Sequence, residues 1–336
     1  MRIAHEHGIR VVLDIILNHS GDVFSYDVDR YWTKNDQTGK WFLDPRWDDA
    51  PYRVRGFNDK AGKPMIPFAA PALSTAGPSG DAIWPVELQD PRAFTCKGRI
   101  NSWDHDPEFR EGDFFDLKDI LLGSGPLDDY QPSPALKALC EIYKFWIAFA
   151  DLDGFRVDTV KHMDKGAARY FASVIHEFAQ GIGKERFYLI GEITGGRSAP
   201  TRRSKKPAST RRFGIDDIPD KLEYLMKGYR EPTDYFSLFR NSLLISKSSH
   251  VWFRDKVVTV LDDHDQVRKG ENKARFCFDS APPSLMLSAL AINATTLGIP
   301  TFRRGREGRW RRPLSARVHV RRSVRRFPVE GAPLLQ

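Results

Sequence analysis

Gly154-Phe155-Arg156-Val157-Asp158-Thr159-Val160-Lys161-His162 decides how the chain is read. Its first half, from Asp153 to Thr159, has small and apolar residues that give way to polar ones, the pattern of a short buried strand with a polar carboxyl end. Residues two apart on a strand share a face, so Arg156 and Asp158 emerge together. A guanidinium beside a carboxylate favours its ionised form. An oriented, ionised aspartate at a strand end suits covalent catalysis on a sugar. Taken alone, Arg-x-Asp is more often a structural ion pair, so the reading depends on what surrounds it.

Working outward, Ile9 to Leu17 is nearly continuous in apolar residues and ends in Asn18-His19-Ser20. Such a run predicts a strand buried on both faces of a parallel sheet, after the tail of a helix over residues 1–8 that closes at Gly8. Pro134 to Ala150 carries Leu136, Leu139, Ile142, Tyr143, Trp146 and Phe149 at helical spacing. Lys165 to Gln180 predicts a second helix, and Phe187 to Ile193 a strand ending at Glu192. Helix is expected over Asp216–Tyr229 and Pro283–Leu297, and over Tyr235–Leu244 on a weaker pattern. Lys256 to Asp265 reads as a strand with a polar end, and Gly298 to Phe302 begins another. Strands alternating with helices predict parallel α/β architecture. Polar groups gathered at strand ends favour a (β/α) barrel over an open doubly wound sheet, and no glycine-rich phosphate turn follows any strand.

Residues 21–133 have no clear helical period and contain five of the eight tryptophans. So long a stretch is no simple loop. It reads as an irregular subdomain inserted after the strand that ends near residue 20, its aromatics serving as core or as sugar-stacking platforms.

The net charge of +8 is unevenly distributed. Residues 303–326 hold eleven Arg and one Glu, and residues 197–212 hold seven basic residues and no acid. Without these islands the remaining chain carries −9. Arginine clusters suit anionic partners. Each island, however, begins abruptly, and shifted reading frames in the coding sequence are the preferred explanation, with nucleic-acid binding the rival. No apolar run reaches the eighteen residues of a membrane span, and no apolar segment follows Met1 as in a secretory leader. Cys96, Cys140 and Cys277 have no disulfide or zinc spacing and read as buried thiols. Compartment is left open.

Four strand ends carry polar groups in order: Asp14 to His19, Arg156 to His162, Glu192, and His264-Asp265. Together they resemble the four short conserved regions of the α-amylase superfamily of glycoside hydrolases, over roughly residues 1–302. The resemblance implies a TIM (β/α)8-type barrel, here partial, with 1–20 holding its third strand. Residues 21–133 would be its inserted subdomain, 134–302 its continuation interrupted by 197–212, and 303–336 a basic tail foreign to the family. The first two barrel strands are expected to be missing, and Arg303 and Arg304 replace the family's aromatic residues.

By the same resemblance Asp158 would be the nucleophile, Glu192 the general acid/base and Asp265 the third carboxylate. Arg156 would orient the nucleophile, His19 and His264 would bond the reacting sugar, and Lys161 and His162 would contact the acceptor. Asn18 resembles a calcium ligand, so calcium is the cofactor to test. Retention needs one ionised and one protonated carboxyl about 5–5.5 Å apart; no basic residue adjoins Glu192 in sequence, and a raised pKa is expected there. The implied activity is retaining hydrolysis of α-glucosidic bonds in α-glucans and oligosaccharides. The alternatives are a transglycosylase or isomerase of the superfamily, such as a trehalose-forming one, and an inactive fragment whose tail binds anionic partners.

Overall fold

A computed structural model describes residues 1–28, 32–34, 39, 41–43, 45–57, 85–193, 211–213, 217–239, 257–261, 276, 282–296 and 298–301. His264, Asp265, Cys277 and the tail 303–336 lie outside the described residues, as does most of the 197–212 island.

A parallel sheet organises the described chain. Strands β1 (Val12–Ile15), β8 (Gly154–Val157), β9 (Tyr188–Glu192) and β10 (Arg211–Phe213) lie in that order. Val12 pairs with Gly154, Arg156 with Ile190, and Phe213 with Glu192. Of the basic island 197–212 only the last two residues are described, and Arg211 and Arg212 open the fourth strand of this sheet. Hydrogen bonding along an extended backbone is indifferent to side-chain charge, which is why composition hid the strand. A second parallel pair joins β11 (Val258–Thr259) to β12 (Ile299–Pro300).

Alternation along the strands separates two faces. Ile15, Phe155, Val157 and Leu189 point one way, into a core shared with two long helices. Helix α3 (Pro134–Ala150) contributes Leu136, Leu139 and Ile147, and helix α4 (Lys165–Gly181) contributes Phe171 and Ile175. Burying a large aliphatic or aromatic side chain is worth roughly 1.5–3 kcal/mol, so this face holds the layers together. Toward the other face point Val12, Asp14, Gly154, Arg156, Ile190 and Glu192. There Ile190 packs with Val258 and Val260, with Val12 and Ile299 at the margin, an apolar layer beneath the charged strand ends.

Helix α3 begins where Ser133 caps it by accepting from the Leu136 amide, with Pro134 at the first position. It ends at Asp151 in the left-handed region. The expected apolar face needs one correction. Trp146 and Phe149 do not join the core but lie exposed, Phe149 stacked on Phe145 and met edge-on by Trp146. The buried stripe runs instead through Leu136, Leu139, Cys140 and Ile147, a narrower arc than the six-residue spacing suggested. Helix α5 (Asp217–Lys227) and helix α7 (Pro283–Thr295) pack with Tyr235 of α6 (Pro232–Phe236) into a second core. Of the helix expected over Tyr235–Leu244, residues 240–244 lie outside the described residues; before them α6 ends at Phe236 and a 3-10 turn follows over Ser237–Phe239.

Between β1 and α3 the described residues form short antiparallel pairs, turns and the one-turn helix α2 (Glu108–Glu111). β2 (Phe24–Tyr26) pairs with β5 (Val54–Phe57), β3 (Trp32–Lys34) with β4 (Trp41–Leu43), and β6 (Gly123–Ser124) with β7 (Gln131–Pro132). Phe24, Tyr26, Phe57 and Phe94 close around one another edge to face. Phenylalanine and tyrosine thus form this small core, while Trp32 is exposed. Cys96 and Cys140 are free and buried, as expected.

One close approach fixes the sheet. A Cβ on Gly154 would lie 2.5 Å from the Tyr188 carbonyl oxygen in the neighbouring strand. Gly154→Ala must push β8 and β9 apart and is expected to lower stability by about 1–3 kcal/mol, read as a reduced urea midpoint; an unchanged midpoint would refute the contact.

Candidate active site

Asp158 follows β8 directly, and its amide still bonds to the Ile15 carbonyl at 2.8 Å. The next residue, Thr159, takes left-handed geometry (φ 48°, ψ 34°) and turns the chain off the sheet into a 3-10 turn over Val160–His162. That turn aims the Thr159 amide at Glu192 Oε2, 3.1 Å away. A β-branched residue with positive φ costs of order 1–3 kcal/mol, and such strain gathers at functional sites.

Arg156 is the hub. Its Nη1 donates to Asp158 Oδ1 at 2.5 Å and to Asp14 Oδ1 at 2.8 Å. Its Nη2 lies 3.0 Å from Glu192 Oε2, attracted by charge without an aligned hydrogen bond. Sequence reasoning paired Arg156 with Asp158 alone and set no base beside Glu192; both are corrected by the sheet, which places β1 and β9 on either side of β8. Asp14 was missed as a partner although it stands at the head of the Asp14–His19 segment. Its signal was register: Asp14 pairs with Arg156 across the ladder.

Burial works against the Arg156 charge, but Glu192, then Asp14 and Asp158, more than offset it and raise its pKa. Glu192 is pushed from its ordinary 4.5 up to about 7. Desolvation is the main cause; Arg156 and the Thr159 amide oppose it, while the nearby Asp158 carboxyl adds to it.

His19 sits 3.9 Å from Asp158 Oδ2 through Nε2 and stacks on Phe114 at 5.1 Å. Burial lowers its pKa, with Asp158 pulling the other way. A neutral imidazole is thereby favoured beside the carboxylates. His162 donates from Nδ1 to the Phe109 carbonyl at 2.6 Å. Its ring meets Phe114, Trp103 and Phe109 edge-on. Lys161 Nζ lies 2.7 Å from Asp104 Oδ1. Phe115, which sequence reasoning did not single out, projects half-exposed from a backbone with φ 58°. The Arg99 guanidinium stacks on its ring at 4.6 Å. Asp14, His19, Arg156, Asp158, Lys161, His162 and Glu192 are therefore gathered at the carboxyl ends of neighbouring strands, while His264 and Asp265 lie outside the described residues.

Asn18 is turned away from the carboxylates. Its Nδ2 donates to Asp119 Oδ1 at 3.0 Å. Asp119 is buried, and desolvation, with Asp113 nearby, raises its pKa well above the ordinary value. No Lys, Arg or His among the described residues pairs with it. A buried carboxylate without a cation beside an amide suits a hard divalent ion in kind, though calcium takes six to eight oxygens. Among the described residues no group of three or more His, Cys, Asp or Glu is placed to hold a metal. A cavity of about 710 Å³ borders Asn18, Asp119 and His162 but is not lined by Asp158 or Glu192. No helix among the described residues is long and apolar enough to cross a membrane.

The family model for the alpha amylase catalytic domain matches residues 1–270. The chain is 26% identical over 199 residues to an alpha-amylase of Streptomyces lividans, covering 56% of this chain and 20% of that protein. It is 29% identical over 207 residues to a cyclomaltodextrin glucanotransferase of Klebsiella oxytoca, covering 60% of this chain and 27% of that one. Among solved structures, a cyclomaltodextrin glucanotransferase with a three-domain ABC distribution superposes with a TM-score of 0.55 at 19% identity, over 90% of this chain and 48% of the other. An Anoxybacillus alpha-amylase gives 0.53 at 18% identity, over 89% and 49%. At these identities the structural likeness shows the fold alone. The chain spans about a quarter or less of the length of these curated relatives.

Proposed function

The chain belongs to the alpha-amylase family, whose catalytic domain is a TIM barrel and whose members are glycosidases and transglycosylases, and from that premise we propose that it cleaves α-glucosidic bonds of oligosaccharides with retention, through a covalent glycosyl-enzyme. One observation carries the reading: Asp158 and Glu192 share the Arg156 guanidinium, and of the two Glu192 is pushed up to about 7. A nucleophilic carboxylate beside a carboxyl raised toward its protonated form is the pair that retaining chemistry uses.

In this proposal Asp158, ionised and oriented by Arg156, attacks the anomeric carbon. Glu192, protonated, gives its proton to the departing glycosidic oxygen; now ionised, it takes a proton from water, whose oxygen displaces Asp158. His19 donates to the ring bound against Asp158. Lys161 and His162 serve the acceptor side, and Phe115 offers a face on which a sugar can stack. Asp265 is assigned as the third carboxylate and His264 as a second sugar-binding histidine, on the sequence pattern alone. Residues 21–133 serve as the subdomain inserted beside the barrel. Asn18 and Asp119 are the residues that would hold a calcium ion, which would neutralise the buried Asp119 and tie the inserted segment to β1.

A second reading, transfer to a sugar instead of water, has support from the glucanotransferases among the similar proteins. Incubation with maltooligosaccharides, with products followed over time, separates the readings. New reducing ends that keep the α configuration when first released support retaining hydrolysis. Products longer than the substrate, or rearranged ones, support transfer. No turnover of any α-glucan would sink both and leave the inactive-fragment alternative standing.

A further inference from the structure

The acceptor side carries an ion pair that neither reading uses. Lys161 Nζ stands 2.7 Å from Asp104 Oδ1; the lysine side chain is 20% exposed and the aspartate 89% exposed. A pair so open to water contributes about 0–1 kcal/mol to stability, so holding the fold together is a poor account of it. The loop nevertheless delivers Asp104 to that place. Glu108, itself buried, accepts the Asn101 and Ser102 amides at 2.5 and 2.7 Å. Trp103 packs its ring on Phe114 at 5.0 Å and on His162 at 5.7 Å. The segment is therefore anchored just before Asp104, and its carboxylate is presented to the lysine. An oxygen 2.7 Å from an ammonium takes up one of its three N–H donors and competes there with any sugar hydroxyl that would accept from the same group.

We propose that Asp104 is an acceptor-side gate: it occupies the Lys161 ammonium in the free site, and a saccharide acceptor binds by displacing it. This rests on the proposed role of Lys161 as an acceptor contact. Water needs no lysine to reach the glycosyl-enzyme, so the gate biases partition toward hydrolysis. The chemistry of either outcome is the same: an oxygen of water or sugar forms the new bond to the anomeric carbon, the Asp158 ester bond breaks, and the proton passes to Glu192. Asp104 takes no proton and selects only which oxygen arrives.

The test compares wild type, Asp104→Asn, Asp104→Glu and Lys161→Ala by calorimetric titration with maltose, at low and at 1 M salt. The ratio of transfer to hydrolysis is then measured with maltotriose as donor and maltose as acceptor. Asp104→Asn is expected to bind maltose about 2–5-fold tighter, the free-energy range of an exposed pair, and to raise the transfer ratio by a similar factor. High salt should bring wild type toward the variant and leave the variant unmoved, because it screens only the pair. Asp104→Glu should behave as wild type, and Lys161→Ala should weaken maltose binding. Equal maltose affinity in wild type and Asp104→Asn overturns the gate, including the case where the variant only melts earlier. If wild type still cleaves maltotriose in that case, the proposed function stands without the gate. If no variant binds or cleaves a saccharide, both fall.

Discussion

Glu192→Gln is expected to lower the rate of glycoside cleavage by about 10²–10⁴-fold, the usual contribution of a positioned general acid. The same substitution should make the protein more stable at pH 8. Glu192 is raised from 4.5 to about 7 in the fold, chiefly by desolvation. A carboxyl raised in this way binds more protons folded than unfolded. Its stabilising share is therefore complete below pH 4.5 and is lost as pH rises through 7. Glutamine mimics the protonated form at every pH and keeps the Thr159 amide supplied with an acceptor. At pH 8 the variant should gain on the order of 3 kcal/mol over wild type, and below pH 4.5 nothing. Catalysis should show the matching profile: wild-type turnover falls as pH rises above about 7, while residual activity of the variant lacks that limb. Paired denaturant melts at pH 4 and pH 8, beside a pH–rate profile, decide it. A variant of undiminished activity removes Glu192 from the chemistry. One less stable at pH 8 shows that its pairing with Arg156 outweighs its burial.

Arg156→Met is expected to cost about 3–5 kcal/mol at pH 8, because it strands the carboxylates of Asp14, Asp158 and Glu192 around a vacated buried cation. The loss should shrink at pH 5, where Glu192 is protonated and like-charge repulsion among the three eases. Arg156→Lys should not rescue it, since one ammonium cannot span three carboxyls from a flat fork. Activity should vanish in both. The denaturant midpoint at the two pH values is the measurement; a deficit below about 1 kcal/mol at both would mean that the carboxylates find other partners or water. Against this background Gly154→Ala acts by geometry alone, and its cost should be independent of pH.

Both expectations turn on the same structural fact, that a single guanidinium serves three strands. It reconciles two demands that conflict in sequence. In the proposed roles Asp158 needs a cation close by, and Glu192 needs to hold its proton. The Arg156 charge opposes the shift at Glu192, but desolvation is the larger effect there, so burial prevails. The charged hub rests on the apolar layer of Val12, Ile190, Val258 and Val260, which keeps water from below.

The bounds of helix α3 were legible, because a 3.6-residue apolar period is a local signal. So were β9 and the polar strand ends of Asp158 and Glu192, since two-residue alternation and the order of four short motifs survive without any knowledge of contacts. That Asp14 faces Arg156, that Arg211 and Arg212 extend the sheet, and that Trp146 and Phe149 stay outside the core were decided only by the tertiary structure. Each depends on strand register or on which neighbour covers a face, and those are set by pairing between segments more than a hundred residues apart, or across a break in composition. The carboxylate chemistry follows the same division. Residue types are written in the chain, whereas the raised pKa of Glu192 comes from desolvation, a property of the space that the folded strands enclose.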